Sequence, residues 1–118
     1  MQLNEFCKEF HEEMKQAGFW DAYHNSMDVL QVELRDAVHD AFVAQKIALI
    51  MSEFYEALEA MRRGDYGVGR KDTFEDEIAD ALLRTFDLCG MLNINIDEQL
   101  RWKREFNKSR EKLHGKEF

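Results

Sequence analysis

Two pairs of acidic residues near the middle of the chain have the spacing of metal ligands carried on helices. Glu53 precedes Glu56 by three positions, and Glu77 precedes Asp80 by the same interval. On a helix, residues three apart point to nearly the same side, one turn apart. Four carboxylates on two facing helices would suit Mg²⁺, or Mn²⁺ as its substitute, because both ions prefer oxygen ligands. The spacing therefore predicts a four-carboxylate metal site.

Each pair also has an ordinary structural explanation. Most glutamates are solvated, so Glu53 and Glu56 fit the exposed side of a surface helix. Acids favour the first turn of a helix, and Asp80 has an ion-pair partner in Arg84, four residues on. Glu77 has no such partner and lies well inside the predicted helix. An acid that is buried without a cation is costly, so Glu77 favours the metal site.

A stripe of polar side chains near the end of the chain would complement a metal-bound polyphosphate. Lys103, Asn107, Arg110 and His114 stand at i, i+4, i+7 and i+11 along the last predicted helix. Lysine and arginine both bind phosphate oxygens, arginine through two parallel hydrogen bonds. Without the carboxylates, the same stripe would be an ordinary solvated helix face.

Two large aromatic residues, Phe19 and Trp20, directly follow Gly18. One interpretation is that they attach the end of the first helix to the core. The other is that they form a stacking platform for a planar ligand, since stacking of a base on an aromatic side chain contributes about 1–3 kcal/mol. The sequence leaves both interpretations open.

The elements that must position these residues are predicted to be helices. The chain contains no proline and only six glycines, so long helices meet few interruptions. Apolar spacing predicts helices over residues 2–17, 45–63, 73–91 and about 95–113. The second of these has the clearest apolar stripe, from Ile47 to Met61. Residues 26–42 are also helical in propensity, as one helix or as two.

Local signals mark where these helices begin and end. Gly18 and Gly64 follow apolar stripes at positions where a left-handed residue ends a helix. A glycine-rich connector over residues 64–72 then separates the two acid pairs. Helix starts are signalled by Thr73 with Asp76, and by Asn95 with Glu98 or by Asp97. We therefore predict an all-α fold, a bundle of four to five helices.

Composition narrows the classes of function. With 118 residues, 45% of them hydrophobic, residues 1–118 fit a single folded domain. A net charge of −8 disfavours nucleic acid as a partner, because phosphate backbones bind to basic surfaces. No apolar run approaches the roughly 20 residues of a membrane span, and the first residues do not resemble a secretory signal. Two cysteines are too few for a disulfide framework, which favours a cytoplasmic setting.

Taken together, these features resemble the MazG-like nucleoside triphosphate pyrophosphohydrolases, an all-α superfamily. Residues 52–56 and 77–80 are similar to the ExxE…ExxD signature of that family. Residues 18–21, Gly-Phe-Trp-Asp, resemble its upstream aromatic segment. The segment from Lys103 to Phe118 resembles its closing Lys…Asn…Arg…His-Gly-Lys-x-Phe pattern.

The resemblance implies Mg²⁺-dependent hydrolysis of a (d)NTP between its α and β phosphates, giving the (d)NMP and pyrophosphate. It implies a homodimer or homotetramer in which paired subunits complete the bundle. It also implies that the metal ligands are Glu53, Glu56, Glu77 and Asp80, and that Glu53 or Glu56 is the general base that activates water. The implied phosphate ligands are Lys103, Asn107 and Arg110. Phe19 or Trp20 would stack on the base of the nucleotide.

Two departures from the family pattern concern the details of the site. Many members carry a second acid where this chain has Ser52, so one further ligand is absent. Residues 26–42 form a longer stretch than in compact members. That stretch could extend the helix ahead of the site, reshape the base pocket or add dimer surface.

Other functions are compatible with parts of the pattern. A non-catalytic helical interaction module could keep the same fold, and its acids would then tolerate neutral replacement. A di-iron carboxylate bundle needs Glu-x-x-His on two helices, and neither acid pair contains histidine. Within the family, a phosphoribosyl-ATP pyrophosphatase and a dUTP- or dCTP-specific enzyme are the alternatives.

Overall fold

The computed structural model describes residues 2–110 and residue 112, which contain five helices and no strand. This confirms the predicted all-α class and the predicted number of helices. No helix in the described part of the chain has the length and apolarity that crossing a bilayer requires. The helices are α1 (Leu3–Gln16), α2 (Asp21–Val29), α3 (Val32–Arg62), α4 (Phe74–Met91) and α5 (Ile96–Lys108).

Three of the helices end on the same backbone motif. Gly18, Gly64 and Asn93 follow α1, α3 and α4 with positive φ angles of 94°, 69° and 55°. After α1, the N–H of Phe19 donates to the carbonyl oxygen of Met14, as in a Schellman motif. The predicted stops at Gly18 and Gly64 are therefore confirmed. Asn93 has the same role at the end of α4, since asparagine tolerates the left-handed conformation.

The predicted starts of α4 and α5 are also confirmed. The side chain of Thr73 accepts a hydrogen bond from the backbone N–H of Asp76, and that of Asn95 accepts one from the N–H of Glu98. Thr73 is fully buried and also donates to the carbonyl oxygen of Gly67, 2.8 Å away. The threonine therefore fixes both the start of α4 and the loop before it.

The long helix α3 begins at Val32, whereas the sequence predicts its start near Gln45. Residues 26–42 belong partly to α2 and partly to α3, with a break at Leu30 and Gln31. Both residues at the break are extended, with ψ angles of 147° and 148°. Any residue adopts this conformation, so the break needs neither glycine nor proline. At the other end of the chain, α5 ends at Lys108, so the predicted helix is wrong at Ser109 and Arg110. Its predicted end at about Leu113 lies outside the described part.

Helix α4 lies at the centre of the bundle, between α3 and α1, while α2 packs on α3 and α5 packs on α1. The contact between α1 and α4 is close at Gly90. A Cβ atom at that position would overlap the carbonyl oxygen of Cys7 and lie 2.8 Å from the Cβ of His11. Only glycine allows the two helices to approach so closely there.

Small residues fill most of the interior, whereas the predicted stripe of α3 is largely exposed. Ala57 and Ala60 of α3 and Ala81 of α4 are buried. Glu53 lies at the same helical spacing as the two α3 alanines, so it shares their inner face. In the second half of α3, the exposed large side chains form what we call the α3 apolar face: Ile47, Met51, Phe54, Tyr55, Leu58 and Met61.

Candidate functional site

Packing of α3 against α4 brings three of the four predicted carboxylates together. Oxygen atoms of Glu53, Glu77 and Asp80 all lie within 4.8 Å of one another. Glu53 comes from the inner face of α3, and Glu77 and Asp80 come from one side of α4. We call these residues the three-acid cluster. Its oxygen-only composition is the kind of ligand set that Mg²⁺ prefers.

Glu77 is the most buried member of the cluster, with 7% of its surface exposed. Its pKa is raised to about 7, first by burial and then by the neighbouring carboxylates of Glu53, Asp80 and Asp76. None of the ion pairs in the described part of the chain includes Glu77. A cation at the cluster would therefore offset the free-energy cost of burying the Glu77 carboxylate beside other acids.

The cation nearest the cluster is Arg84, which pairs across helices rather than along its own. Its Nε–H donates to Oε1 of Glu53 at 3.0 Å. The sequence predicts a pair between Arg84 and Asp80, but Arg84 bonds Glu53 in the structure because α3 brings that carboxylate to it. The pKa of Asp80 is raised, chiefly by burial and by Asp76, although Arg84 acts in the opposite direction.

Glu56, the fourth predicted ligand, is exposed and lies outside the three-acid cluster. Acids that were not predicted as ligands stand next to Glu77 instead. Oxygen atoms of Asp72 and Asp76 lie within 4.8 Å of each other and of a Glu77 oxygen. Asp76 also accepts a hydrogen bond from the backbone N–H of Asp72, at 2.8 Å. Glu77 therefore belongs to two adjacent acidic groups.

A cavity of about 200 Å³ opens beside the cluster. Two of the acids, Glu53 and Asp80, line it, together with the cations Lys46 and Arg84. The rest of the wall is mainly apolar and aromatic. It consists of Phe10, Met14, Phe19, Trp20, Leu83 and Leu88, with the carboxylate of Asp87. One cavity thus combines metal-ligand candidates, positive charge and an apolar surface.

The two predicted aromatic residues have different environments. Trp20 is 1% exposed, and its Nε1–H donates to both carboxylate oxygens of Asp87 at 3.0 Å. Asp87 also bonds Nδ1 of His11 at 2.7 Å, and Lys46 lies over the Trp20 ring, 4.4 Å from its centroid. Trp20 therefore attaches the chain to α4. Phe19, by contrast, is 60% exposed and lines the cavity.

Sequence reasoning missed Lys46, Asp87 and His11 as parts of this site. The hydrogen bonds of Asp87 join residues 67 and 76 positions away, and no periodic pattern relates them. Lys46 shows no motif either. In the structure its Nζ donates to the carbonyl oxygen of Phe19 at 3.2 Å, and burial lowers its pKa. Only the folded contacts identify these residues.

The predicted phosphate ligands lie on or just after α5, and none of them lines this cavity. Lys103 and Arg110 approach the ring of Phe106, with distances to its centroid of 5.0 Å and 5.5 Å. Oδ1 of Asn107 is buried and has no hydrogen-bond partner among the described residues. His114, the last residue of the predicted stripe, lies outside the described part of the chain.

The three-acid cluster offers oxygen atoms that could hold a metal ion, and the cavity beside it combines two cations with apolar and aromatic side chains. Comparison with protein-family models, with curated proteins and with solved structures finds no match for this chain. A function must therefore be argued from the chemistry of the site, because a helical fold alone does not determine one.

Proposed function

We propose that this chain is a Mg²⁺-dependent nucleoside triphosphate pyrophosphohydrolase of the MazG-like kind. Its reaction would be hydrolysis of a (d)NTP at the α–β phosphate bond, giving the (d)NMP and pyrophosphate. The observation that carries the proposal is Glu77, a buried acid with no cationic partner among the described residues, beside Glu53 and Asp80. The cavity next to it supplies positive charge for phosphates and apolar surface for a base.

The residues present fit a magnesium ion. Glu53, Glu77 and Asp80 would hold it through carboxylate oxygens, and Glu56 stays a predicted ligand one turn further along α3. Bound Mg²⁺ supplies polarisation of phosphoryl oxygens and a lowered pKa of bound water. Glu53 or Glu56 would act as the general base that accepts the proton of the attacking water.

For the base of the nucleotide, the structure favours Phe19 over Trp20. The ring of Trp20 is buried, and Lys46 already lies over it. Phe19 exposes most of its ring at the cavity wall, where a planar ligand can stack. Trp20 then has a supporting role, because it holds the backbone from which Phe19 projects.

A homodimer or homotetramer is part of the proposal. Two features support it: the six large side chains of the α3 apolar face are partly exposed, and Oδ1 of Asn107 is buried without a partner among the described residues. We assign Lys103, Asn107 and Arg110 to the phosphates of a substrate bound in a paired subunit. Assembly would then bring the phosphate ligands of one subunit to the cavity and the three-acid cluster of another.

The test is an assay of pyrophosphate release from a panel of canonical and damaged (d)NTPs, with and without Mg²⁺. We expect at least one substrate to give equimolar nucleoside monophosphate and pyrophosphate, and only when metal is present. Turnover of no substrate would overturn the enzyme proposal. Orthophosphate as the only product would show that a different bond is cut.

Neutral replacement of the buried acid separates the enzyme from a non-catalytic interaction module. Glu77→Gln keeps the shape of the side chain but removes a metal ligand, so we expect activity to fall by about 10²-fold or more. Glu105→Gln is the matched control, since Glu105 is exposed on α5 and its ion pair among the described residues is with Lys108. If Glu77→Gln behaved like Glu105→Gln, the interaction module would be the better explanation.

A further inference from the structure

Arg84 is placed where it can interact with either the acids or a substrate. Its Nε–H makes the bond to Glu53, and neither terminal NH₂ group has a hydrogen-bond partner among the described residues, so both remain as donors. The side chain is 40% exposed and lines the cavity. A guanidinium with two unused donors at a cavity wall is well suited to phosphate, which arginine binds through two parallel hydrogen bonds.

A second cation lies on the same cavity wall. Lys46 is close enough to Arg84 for the guanidinium to contribute to the lowering of its pKa, after the larger effect of burial. Two like charges that face one cavity repel each other, and a bound anion would relieve that repulsion. The carboxylate of Asp87 on the same wall acts on the pKa of Lys46 in the opposite direction to Arg84. Among the described residues, however, Lys46 forms no ion pair and bonds the carbonyl oxygen of Phe19, whereas Arg84 bonds Glu53.

We propose that Arg84 has two positions: it bonds Glu53 when the three-acid cluster holds no metal, and it turns to the substrate phosphates, alongside Lys46, when a divalent cation takes Glu53. The inference rests on the proposed metal site. It adds phosphate ligands that come from the same chain as the acids. It also makes Arg84 a competitor of the metal for Glu53.

If Arg84 has both positions, a single substitution should change the metal affinity and the polyphosphate affinity in opposite directions. Replacing Arg84 with a neutral residue removes a positive charge beside the cluster, so the metal binds more tightly. The same replacement removes two phosphate donors, so the polyphosphate binds more weakly. An arginine that only stabilised the fold would not separate the two affinities in this way.

The first measurement is calorimetric titration of the metal-free protein with Mn²⁺ alone. We expect Arg84→Gln to bind Mn²⁺ about threefold to tenfold more tightly than the parent, a range that allows for solvent screening at a partly exposed side chain. Arg84→Lys keeps the charge, so its Mn²⁺ affinity should stay close to that of the parent. Arg62→Gln is the matched control, because Arg62 forms the same kind of pair with Glu59 on an exposed part of α3.

The second measurement is titration of the Mn²⁺-loaded protein with the preformed Mg²⁺ complex of tripolyphosphate, which carries no base. We expect Arg84→Gln to bind it at least about tenfold more weakly, the typical cost of a lost charge-assisted contact. Lys46→Gln should weaken this binding as well, while its Mn²⁺ affinity changes much less than that of Arg84→Gln. Circular dichroism verifies that each variant keeps its helical content.

The outcomes distinguish this inference from the proposed function. If the parent binds no Mn²⁺, the metal site fails, and the inference fails with it. If the parent binds Mn²⁺ and hydrolyses a nucleotide, but Arg84→Gln binds Mn²⁺ no more tightly, the two-position role is overturned while the enzyme remains. Unchanged tripolyphosphate affinity in Arg84→Gln would likewise overturn it.

Discussion

Glu77 shows how a buried acid lowers the stability of the metal-free protein. Its carboxyl group is buried between Glu53, Asp80 and Asp76, and its pKa is raised to about 7 from a usual value of 4.5. In the unfolded chain this group loses its proton near the usual value. Between pH 4.5 and 7 the folded protein therefore holds a proton that the unfolded chain releases. Folding stability then falls as the pH rises through this interval, and the penalty is complete above pH 7.

Glu77→Gln should therefore stabilise the metal-free protein at alkaline pH. Glutamine is neutral at every pH, so we expect the variant to exceed the parent by about 1–3 kcal/mol near pH 8. Near pH 4.5 the advantage should disappear, since the parent is then protonated in the folded state. Urea denaturation in the presence of EDTA at both pH values measures the difference.

The exposed Glu105→Gln serves as the reference for this comparison and should show no such dependence on pH. Addition of Mg²⁺ at pH 8 should stabilise the parent more than Glu77→Gln, because only the parent keeps all three carboxylates. A variant that is less stable than the parent at pH 8 without metal would contradict the role given to Glu77.

At the scale of the element, Thr73 controls whether α4 presents its acids correctly. It caps the helix through the N–H of Asp76, and it holds the preceding loop through the carbonyl oxygen of Gly67. Glu77 lies in the next turn, and its own N–H donates to the carbonyl oxygen of Thr73. The position of the buried acid therefore depends on this start signal.

Thr73→Val keeps the branched shape but removes the hydroxyl, so the partly buried N–H of Asp76 and carbonyl of Gly67 lose their partner. We expect a loss of about 1–3 kcal/mol in the free energy of unfolding, together with weaker Mn²⁺ binding. Thr73→Ser retains the hydroxyl and should recover most of both properties. Chemical denaturation and Mn²⁺ titration measure the two effects, and equal behaviour of the two variants would contradict the capping role.

Helix ends were predictable because their signals are local. Gly18, Gly64, Thr73 and Asn95 each satisfy the backbone groups of residues within a few positions, and the sequence displays these residues directly. The start of α3 was not predictable in the same way. Its break is made by extended backbone at Leu30, which many residue types adopt, so no residue marks it.

The sequence predicts the relative positions of site residues only where they lie on the same helix. Glu77 and Asp80 share a side of α4 by spacing alone, and the absence of a nearby cation on that helix already indicated that Glu77 was unusual. The pair of Arg84 with Glu53 and the bond of Asp87 to Trp20 connect different elements. Such contacts depend on how the helices pack, which spacing along one helix does not specify.

The whole molecule leaves its longest helix incompletely covered. The α3 apolar face lies on a different side of α3 from Ala57 and Ala60, which are buried. Six large side chains there each expose more than a third of their surface. A continuous exposed surface of this kind favours association, and a second copy of the chain is the simplest partner for a symmetric assembly.

Sedimentation velocity tests this prediction. We expect the parent to sediment as a dimer or tetramer of the 14.0-kDa chain. Met51→Glu should shift it towards the monomer, because the substitution would bury a charge at the centre of the contact. Val68→Glu is the control, since Val68 is highly exposed in the loop before α4 and lies outside the α3 apolar face. A parent that is monomeric at every soluble concentration would contradict the assembly.

The close approach at Gly90 also determines which walls of the cavity are able to move. The backbone of α1 at Cys7 lies directly against α4, so these two helices have little freedom to slide past each other. Phe10 and Met14 of α1 and Leu83 and Leu88 of α4 therefore form a fixed half of the cavity. Any widening to admit or release a ligand would therefore come from side chains of the opposite wall, above all from the ring of Phe19, which is mostly exposed.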